Sequence, residues 1–130
     1  MQWNESWNLG IATIDGQHRN ILKAINALQT ASGPKMIPKL LQALTAYALI
    51  HFDYEINLLE ENDFKDLIGH KREHENFFLQ IREFSTESQE EPDLEEFMER
   101  VRIYLVNWLF SHIQEVDMQY RDHLLARGIK

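Results

Sequence analysis

A chain of 130 residues with 44% apolar and 26% charged residues has the composition of one globular domain that can bury its own core. It contains no cysteine, which excludes disulfides, thiolate zinc sites and cysteine nucleophiles. The formal net charge is -8, and the acidic stretch 87–96 would repel a phosphate backbone, so we expect no nucleic-acid partner.

The first 14 residues contain Trp3, Trp7, Leu9 and Ile14 with little helical rhythm, and they predict an extended arm whose aromatic side chains pack onto the body. The arm lacks a basic region followed by an apolar run. No segment reaches the roughly 18 apolar residues of a membrane span. We therefore expect a cytoplasmic protein without a membrane span.

Periodic apolar positions predict two amphipathic helices after the arm. Asp15 can cap the first helix. The second begins near Pro38, after a turn at 32–34, and ends near Glu61. The predicted buried face of the first helix is His18, Ile21, Leu22, Ile25 and Leu28. That of the second is Leu40, Leu44, Tyr47, Ala48, His51, Phe52, Glu55, Leu58 and Leu59.

Two further helices follow. The third is predicted over about 65–85, capped by Asn62 or Asp63, and the fourth begins at Pro92. The inner face of the third is Leu67, His70, His74, Phe77, Phe78, Ile81 and Phe84. The inner face of the fourth is Leu94, Phe97, Met98, Val101, Leu105, Trp108, Leu109, His112 and Val116. Short polar connections predict an all-α, antiparallel up-down-up-down four-helix bundle, with residues 1–130 forming a single domain.

Histidines and carboxylates lie on these inner faces at spacings typical of metal ligands. His51 and Glu55 are four residues apart, as are His70 and His74, so each pair shares one helix face about 6 Å apart along the axis. In antiparallel succession both pairs fall toward the same end of the bundle as His18 and His112. A lone buried histidine is more often an ordinary core residue, but five on convergent faces, with a buried carboxylate that needs a positive partner, indicate a metal site.

The fourth helix presents one awkward spacing. Asp117 follows His112 by five residues, which leaves it about 140° off the His112 direction on a regular α-helix. Asp117 can face the site only if the helix carries a one-residue bulge there or ends. His123 lies about 16 Å beyond His112 along a continued helix, so we interpret it as a surface residue outside the site.

The order of these motifs resembles the hemerythrins, most closely their single-domain bacterial members. The resemblance rests on His18 after Ile-Asp-Gly-Gln, on HFDYE at 51–55, HKREH at 70–74 and WLFSHIQEVD at 108–117, and it covers nearly the whole chain. Ile56 stands where many relatives have a second glutamate, which is not a ligand in the family pattern. Phe64-Lys65 replaces a frequent Tyr-Pro, which affects only the start of the third helix.

The resemblance implies a non-haem di-iron centre with an oxo or hydroxo bridge. By the family pattern His70, His74 and His112 bind one iron, His18 and His51 bind the other, and Glu55 and Asp117 bridge the two. With octahedral preferences, the two-histidine iron keeps one position open, where dioxygen would bind. Three residues resemble the family's apolar lining around dioxygen, a role that ordinary core packing also fits: Trp108, Leu109 and Ile113.

The shell of five imidazoles and two carboxylates favours dioxygen carriage over the oxidation of a substrate, because di-iron oxidases use glutamate-rich shells. We therefore predict reversible dioxygen binding for storage, delivery or buffering, and no enzyme activity. Two alternatives stay open: sensing of dioxygen or redox state through an unidentified protein partner, and nitric oxide or peroxide chemistry at the open iron. Zinc is a weaker alternative to iron, since imidazoles suit both metals.

Overall fold

The computed structural model describes residues 2–30, 36–90 and 93–130. Within these ranges the chain forms a short 3-10 helix at Glu5–Trp7 and four long helical stretches. The elements in order are α1 (Ala12–Gln29), α2 (Ile37–Glu61), α3 (Leu67–Ser88), α4 (Leu94–Ser111), a π-helical segment (His112–Asp117) and α5 (Met118–Ala126).

The helices form the predicted four-helix bundle. α1 packs against α2 and α4, and α2 packs against α3. α4, the π-helical segment and α5 follow one another without a break, and together they form the fourth helical rod of the bundle, after α1, α2 and α3. The up-down-up-down topology predicted from the short connections agrees with this arrangement. No helix in the described part of the chain is both long enough and apolar enough to cross a bilayer.

The apolar faces predicted from the sequence form most of the core. All five predicted positions of α1 are buried, as are most of those on the other helices. Two predicted core residues are wrong: Tyr47 is 44% exposed and Leu94 is 36% exposed. Leu94 is the first residue of α4, and Tyr47 lies at the edge of the apolar stripe on α2.

The predicted helix caps need correction. Asp15 lies inside α1, which begins at Ala12, and its carboxylate instead accepts hydrogen bonds from the backbone N–H groups of Leu9 and Gly10. It therefore fixes the arm to α1. α3 is capped by Asp66 and not by Asn62 or Asp63, because the Asp66 carboxylate accepts from the N–H of Gly69.

Asp93 caps α4 by accepting from the N–H of Glu96. The predicted turn at 32–34 and the predicted helix start at Pro92 lie outside the described residues. The predicted second-helix end at Glu61 is confirmed.

The N-terminal arm packs onto the bundle as predicted, although residues 12–14 already belong to α1. The buried Trp7 ring lies edge-on to Trp3 at 5.4 Å and to Phe110 of α4 at 6.4 Å. Arg121 Nε donates a hydrogen bond of 2.8 Å to the carbonyl of Leu9 and joins the arm to α5.

Candidate metal centre

Seven polar side chains from all four rods meet inside the bundle. Each of these residues is at most 5% exposed, and their donor atoms face one another at hydrogen-bond or van der Waals distance. The seven are His18 of α1, His51 and Glu55 of α2, His70 and His74 of α3, and His112 and Asp117 of the π-helical segment. The structure therefore brings together every residue predicted as a metal ligand.

Each buried carboxylate faces two groups of imidazoles. Glu55 Oε1 lies 2.9 Å from His74 Nε2, whereas its Oε2 lies 3.2 Å from His51 Nε2. Asp117 repeats the pattern, with Oδ1 3.8 Å from His70 Nε2 and Oδ2 2.8 Å from His18 Nε2. One oxygen of each carboxylate thus faces the α3 histidines, and the other faces the histidines of α1 and α2.

His112 stands between these two groups. Its Nε2 lies 2.8 Å from Asp117 Oδ2 and 3.2 Å from His51 Nε2. The donor atoms of His18, His51, Glu55, His112 and Asp117 all lie within 4.8 Å of one another. In this structure the His112 ring is therefore closer to the α1 and α2 histidines than to the α3 pair.

A local change of helix type turns Asp117 inward. Residues His112–Asp117 are π-helical, with hydrogen bonds from residue i to i+5, so two residues five apart lie roughly one turn from each other. His112 and Asp117 are both fully buried, and their side chains meet. Of the two alternatives left open by the sequence, the structure shows the bulge.

Further residues orient the ligand candidates from outside, and sequence reasoning did not identify them. Gln17 Oε1 lies 2.8 Å from His51 Nδ1, and Glu73 Oε1 lies 3.1 Å from His112 Nδ1. The hydroxyl of the buried Tyr120 donates to Glu55 at 2.9 Å. The sequence offered an indication only for Gln17 and Glu73, because each directly precedes a histidine predicted as a metal ligand.

Burial and charge shift the proton affinities of the cluster in opposite directions. Burial lowers the pKa of His18 to about 4, and the neighbouring His51 adds to this effect. Burial also opposes charge on His112, but the adjacent Asp117 carboxylate outweighs it and raises the pKa of His112 well above its usual value. The same pairing lowers the pKa of Asp117 well below its usual value, although burial alone would raise it.

Tyr120 and Glu55 show the same competition. Burial raises the pKa of the Tyr120 phenol well above its usual value. Burial and Asp117 would raise the pKa of Glu55, but the opposing effect of His51 lowers it to about 2. The carboxylates therefore favour the charged form of His112, and a cation that binds this ring would compete with its proton.

The residues predicted to line a dioxygen pocket belong to the same region of the core. Leu109 and Ile113 are buried, and the half-buried Trp108 ring stacks on His112 with 4.7 Å between centroids. His123 lies apart from the site, as predicted, but it is only half-exposed and is not a plain surface residue. Its Nε2 contacts the carbonyl of Asn62 at 2.5 Å and ties α5 to the turn after α2.

The donor set fits a metal ion. Among the described residues, the buried atoms His70 Nε2 and Asp117 Oδ1 have no hydrogen-bond partner, although they lie 3.8 Å apart and both face the cluster. Buried polar atoms nearly always have a hydrogen-bond partner, so this unpartnered pair indicates a site where a bound cation would be the missing partner. Imidazole nitrogens with carboxylate oxygens suit iron and other first-row transition metals, and seven such ligands exceed the six of one octahedral ion.

Comparison with known proteins identifies relatives over nearly the whole chain. The family model of the hemerythrin HHE cation binding domain matches residues 9–124. A bacteriohemerythrin of Stenotrophomonas maltophilia (strain R551-3) is 32% identical over 95% of this chain and 81% of its own length. A bacteriohemerythrin of Clostridium acetobutylicum is 27% identical over 92% of this chain and 98% of its own.

The fold agrees with solved structures. A crystal structure of wild-type hemerythrin superposes with a TM-score of 0.79 at 25% identity and covers 95% of this chain and 97% of the other. A crystal structure of a leucine-to-alanine variant of hemerythrin gives a TM-score of 0.78 at the same identity. The four rods and their order are therefore those of a known structural family.

Proposed function

The chain belongs to the hemerythrin family, and we propose that it binds dioxygen reversibly at a pair of non-haem irons, for storage, delivery or buffering. The observation that carries the proposal is the two-sided arrangement of Glu55 and Asp117. Each carboxylate presents one oxygen to the α3 histidines and the other to His18 or His51, as a bridging ligand must.

In the proposed centre, by the family pattern, His70, His74 and His112 would hold one iron and His18 and His51 the other, although His112 lies nearer to His51 in this structure. Glu55 and Asp117 would contribute carboxylate oxygens to both irons, and an oxo or hydroxo group would complete the centre. Ferrous iron would supply the electrons that reversible dioxygen binding requires. The unequal number of histidines would leave the second iron with the open position for the ligand, since both metals prefer six ligands.

The protein's own side chains prepare this site in three ways. Gln17 and Glu73 accept hydrogen bonds from outer ring nitrogens, so the inner Nε2 atoms of His51 and His112 are the ones that would bind a metal. Tyr120 holds one oxygen of Glu55 in place. The apolar bulk of Leu109 and Ile113 would keep water from the ligand, because Leu109 is buried near the end of α4 and Ile113 is buried within the π-helical segment.

We expect the protein to carry dioxygen and not to oxidise a substrate. We propose that it is located in the cytoplasm. The described interior contains only two carboxylates in the cluster, Glu55 and Asp117, against five imidazoles. A carboxylate-rich shell would be needed to stabilise the high-valent iron that substrate oxidation uses. The partner we propose is dioxygen itself.

Mixing the anaerobically reduced protein with dioxygen in a stopped-flow spectrometer tests the proposal. A visible band should develop on mixing and disappear when argon removes the gas, over several cycles. Oxidation to the diferric state in a single turnover, without a reversible band, would contradict reversible binding. Sustained consumption of peroxide or nitric oxide by the loaded protein would instead support the enzymatic alternative.

A further inference from the structure

Two imidazoles of the cluster are supported from outside by chemically different groups. His112 Nδ1 contacts a carboxylate oxygen of Glu73 at 3.1 Å, whereas His51 Nδ1 contacts the amide oxygen of Gln17 at 2.8 Å. Both rings are fully buried, and both direct Nε2 toward the carboxylates of the cluster. In each case the outer nitrogen donates the hydrogen bond and the inner nitrogen is left for a metal.

The two supports differ by one negative charge. Two other outer nitrogens have no charged partner in the described part of the chain: His70 Nδ1 lies 3.4 Å from the backbone carbonyl of Asp66, and His18 Nδ1 has no hydrogen-bond partner. A carboxylate behind a ligating imidazole makes that ring a stronger base and a stronger electron donor, which an amide does much less.

The position of Glu73 allows it to carry this charge. Its side chain is 26% exposed and lines an open groove with Tyr104 and Trp108, so water solvates the carboxylate on one side while His112 is fully buried on the other. Glu73 precedes His74 in the chain, yet it supports a histidine of another rod. Its contact with His112 is therefore a feature of helix packing and not of one helix face.

We propose that Glu73 is a positioning residue that makes His112 a more electron-donating ligand than His51, so that its charge contributes to a difference in reduction potential between the two irons. This inference rests on the proposed di-iron centre. Added electron density favours the ferric state, so the iron bound by His112 should have a lower reduction potential than the same iron with a neutral support. Removing the charge should therefore make that iron harder to oxidise.

Three substitutions at two positions separate the charge from the hydrogen bond. Glu73→Gln keeps the shape and an accepting oxygen but removes the charge, whereas Glu73→Leu removes both. Gln17→Glu places a charge behind His51, and combined with Glu73→Gln it reverses the asymmetry at constant net charge. Glu75→Gln and Glu75→Leu are matched controls, because Glu75 lies on the same helix and is exposed.

Spectroelectrochemical titration of the iron-loaded protein gives the first readout. Glu73→Gln should raise the potential of one of the two one-electron steps while Glu75→Gln leaves both unchanged, and the double variant should lower the other step. A titration of Glu73→Gln that overlays that of Glu75→Gln would overturn the electronic role of Glu73.

Cobalt(II) affinity gives a second readout that does not depend on dioxygen. Glu73→Leu should weaken it about 10- to 100-fold, Glu73→Gln should restore most of it, and Glu75→Leu should not change it. Unchanged cobalt affinity in Glu73→Leu would overturn the positioning role. Shifted potentials in a protein that fails to bind dioxygen reversibly would support this inference and contradict the proposed function, so the two failures are distinguishable.

Discussion

Tyr120 donates its phenolic hydrogen to Glu55 Oε2 over 2.9 Å, and both side chains are completely buried. The same oxygen lies 3.2 Å from His51 Nε2, so the hydroxyl holds the carboxylate in the orientation that faces both histidine groups. The hydrogen bond joins α5 to α2 and anchors the part of the fourth rod that lies beyond Asp117.

Substitution Tyr120→Phe should loosen this carboxylate without removing a ligand. We expect both irons to be retained at equilibrium but to be released to a chelator about 10-fold faster, since partners of ligating groups typically contribute on this scale. The measurement is the rate of iron transfer to a coloured ferrous chelator. Tyr47→Phe, at an exposed position of α2, is the control, and equal release rates in the two variants would show that the hydroxyl is dispensable.

Exchange of two neighbouring residues tests the π-helical segment. In the double variant Val116→Asp, Asp117→Val the carboxylate moves to the four-residue spacing of a regular α-helix from His112. We expect as little bound iron as in Asp117→Val alone, because Val116 is half-buried and lines the groove outside the cluster. Iron analysis of the two variants decides this, and full loading of the double variant would mean that the bulge is not required.

The metal-free protein should lose stability in acid through His18. Its pKa falls from 6.5 when unfolded to about 4 when folded, so between these pH values the unfolded state binds more protons and stability decreases as the pH falls. The loss should approach about 3 kcal/mol near pH 4, at about 1.4 kcal/mol per pH unit. Urea unfolding at pH 7 and pH 4.5 measures it, and His18→Gln should reduce the difference. An equal difference in this variant would assign the acid sensitivity elsewhere.

The apolar side chain of Ile113 should protect bound dioxygen. Ile113→Ala should keep both irons but autoxidise faster, because it opens room for water beside polar ligands, and Ile113→Glu should bind dioxygen or azide poorly. Ile25→Ala, at an equally buried position of α1, controls for general loosening of the core. The decay of the oxygenated spectrum measures the effect. If the Ile113 variants decay like the Ile25 control, Ile113 is only a core residue.

Sequence reasoning succeeded where one regular helix decides the outcome. His51 with Glu55, and His70 with His74, follow a spacing that α-helix geometry converts directly into a shared face, and the structure places all four as expected. The five-residue spacing of Asp117 also demanded a bulge or a helix end. Only the hydrogen-bond pattern of the backbone, which is π-helical over His112–Asp117, distinguishes the bulge from a helix end.

Sequence reasoning failed where the packing between two helices decides which side chains meet. Gln17 directly precedes His18 but contacts His51, and Glu73 directly precedes His74 but contacts His112. No periodicity along one helix predicts which histidine of a neighbouring helix such a side chain meets. The misassigned cap has a similar cause, since Asp15 finds its backbone partners in the arm and not in its own helix.

The iron content of the purified protein tests the central claim most directly. After anaerobic loading with excess ferrous iron and removal of unbound metal, we predict two irons per chain, with near-ultraviolet absorption of an oxo-bridged diferric pair after exposure to air. His123→Ala should also bind two, because His123 contacts the carbonyl of Asn62 and no member of the cluster, whereas Glu55→Ala should bind fewer. One metal ion per chain, or zinc alone despite ample iron, would contradict the di-iron centre.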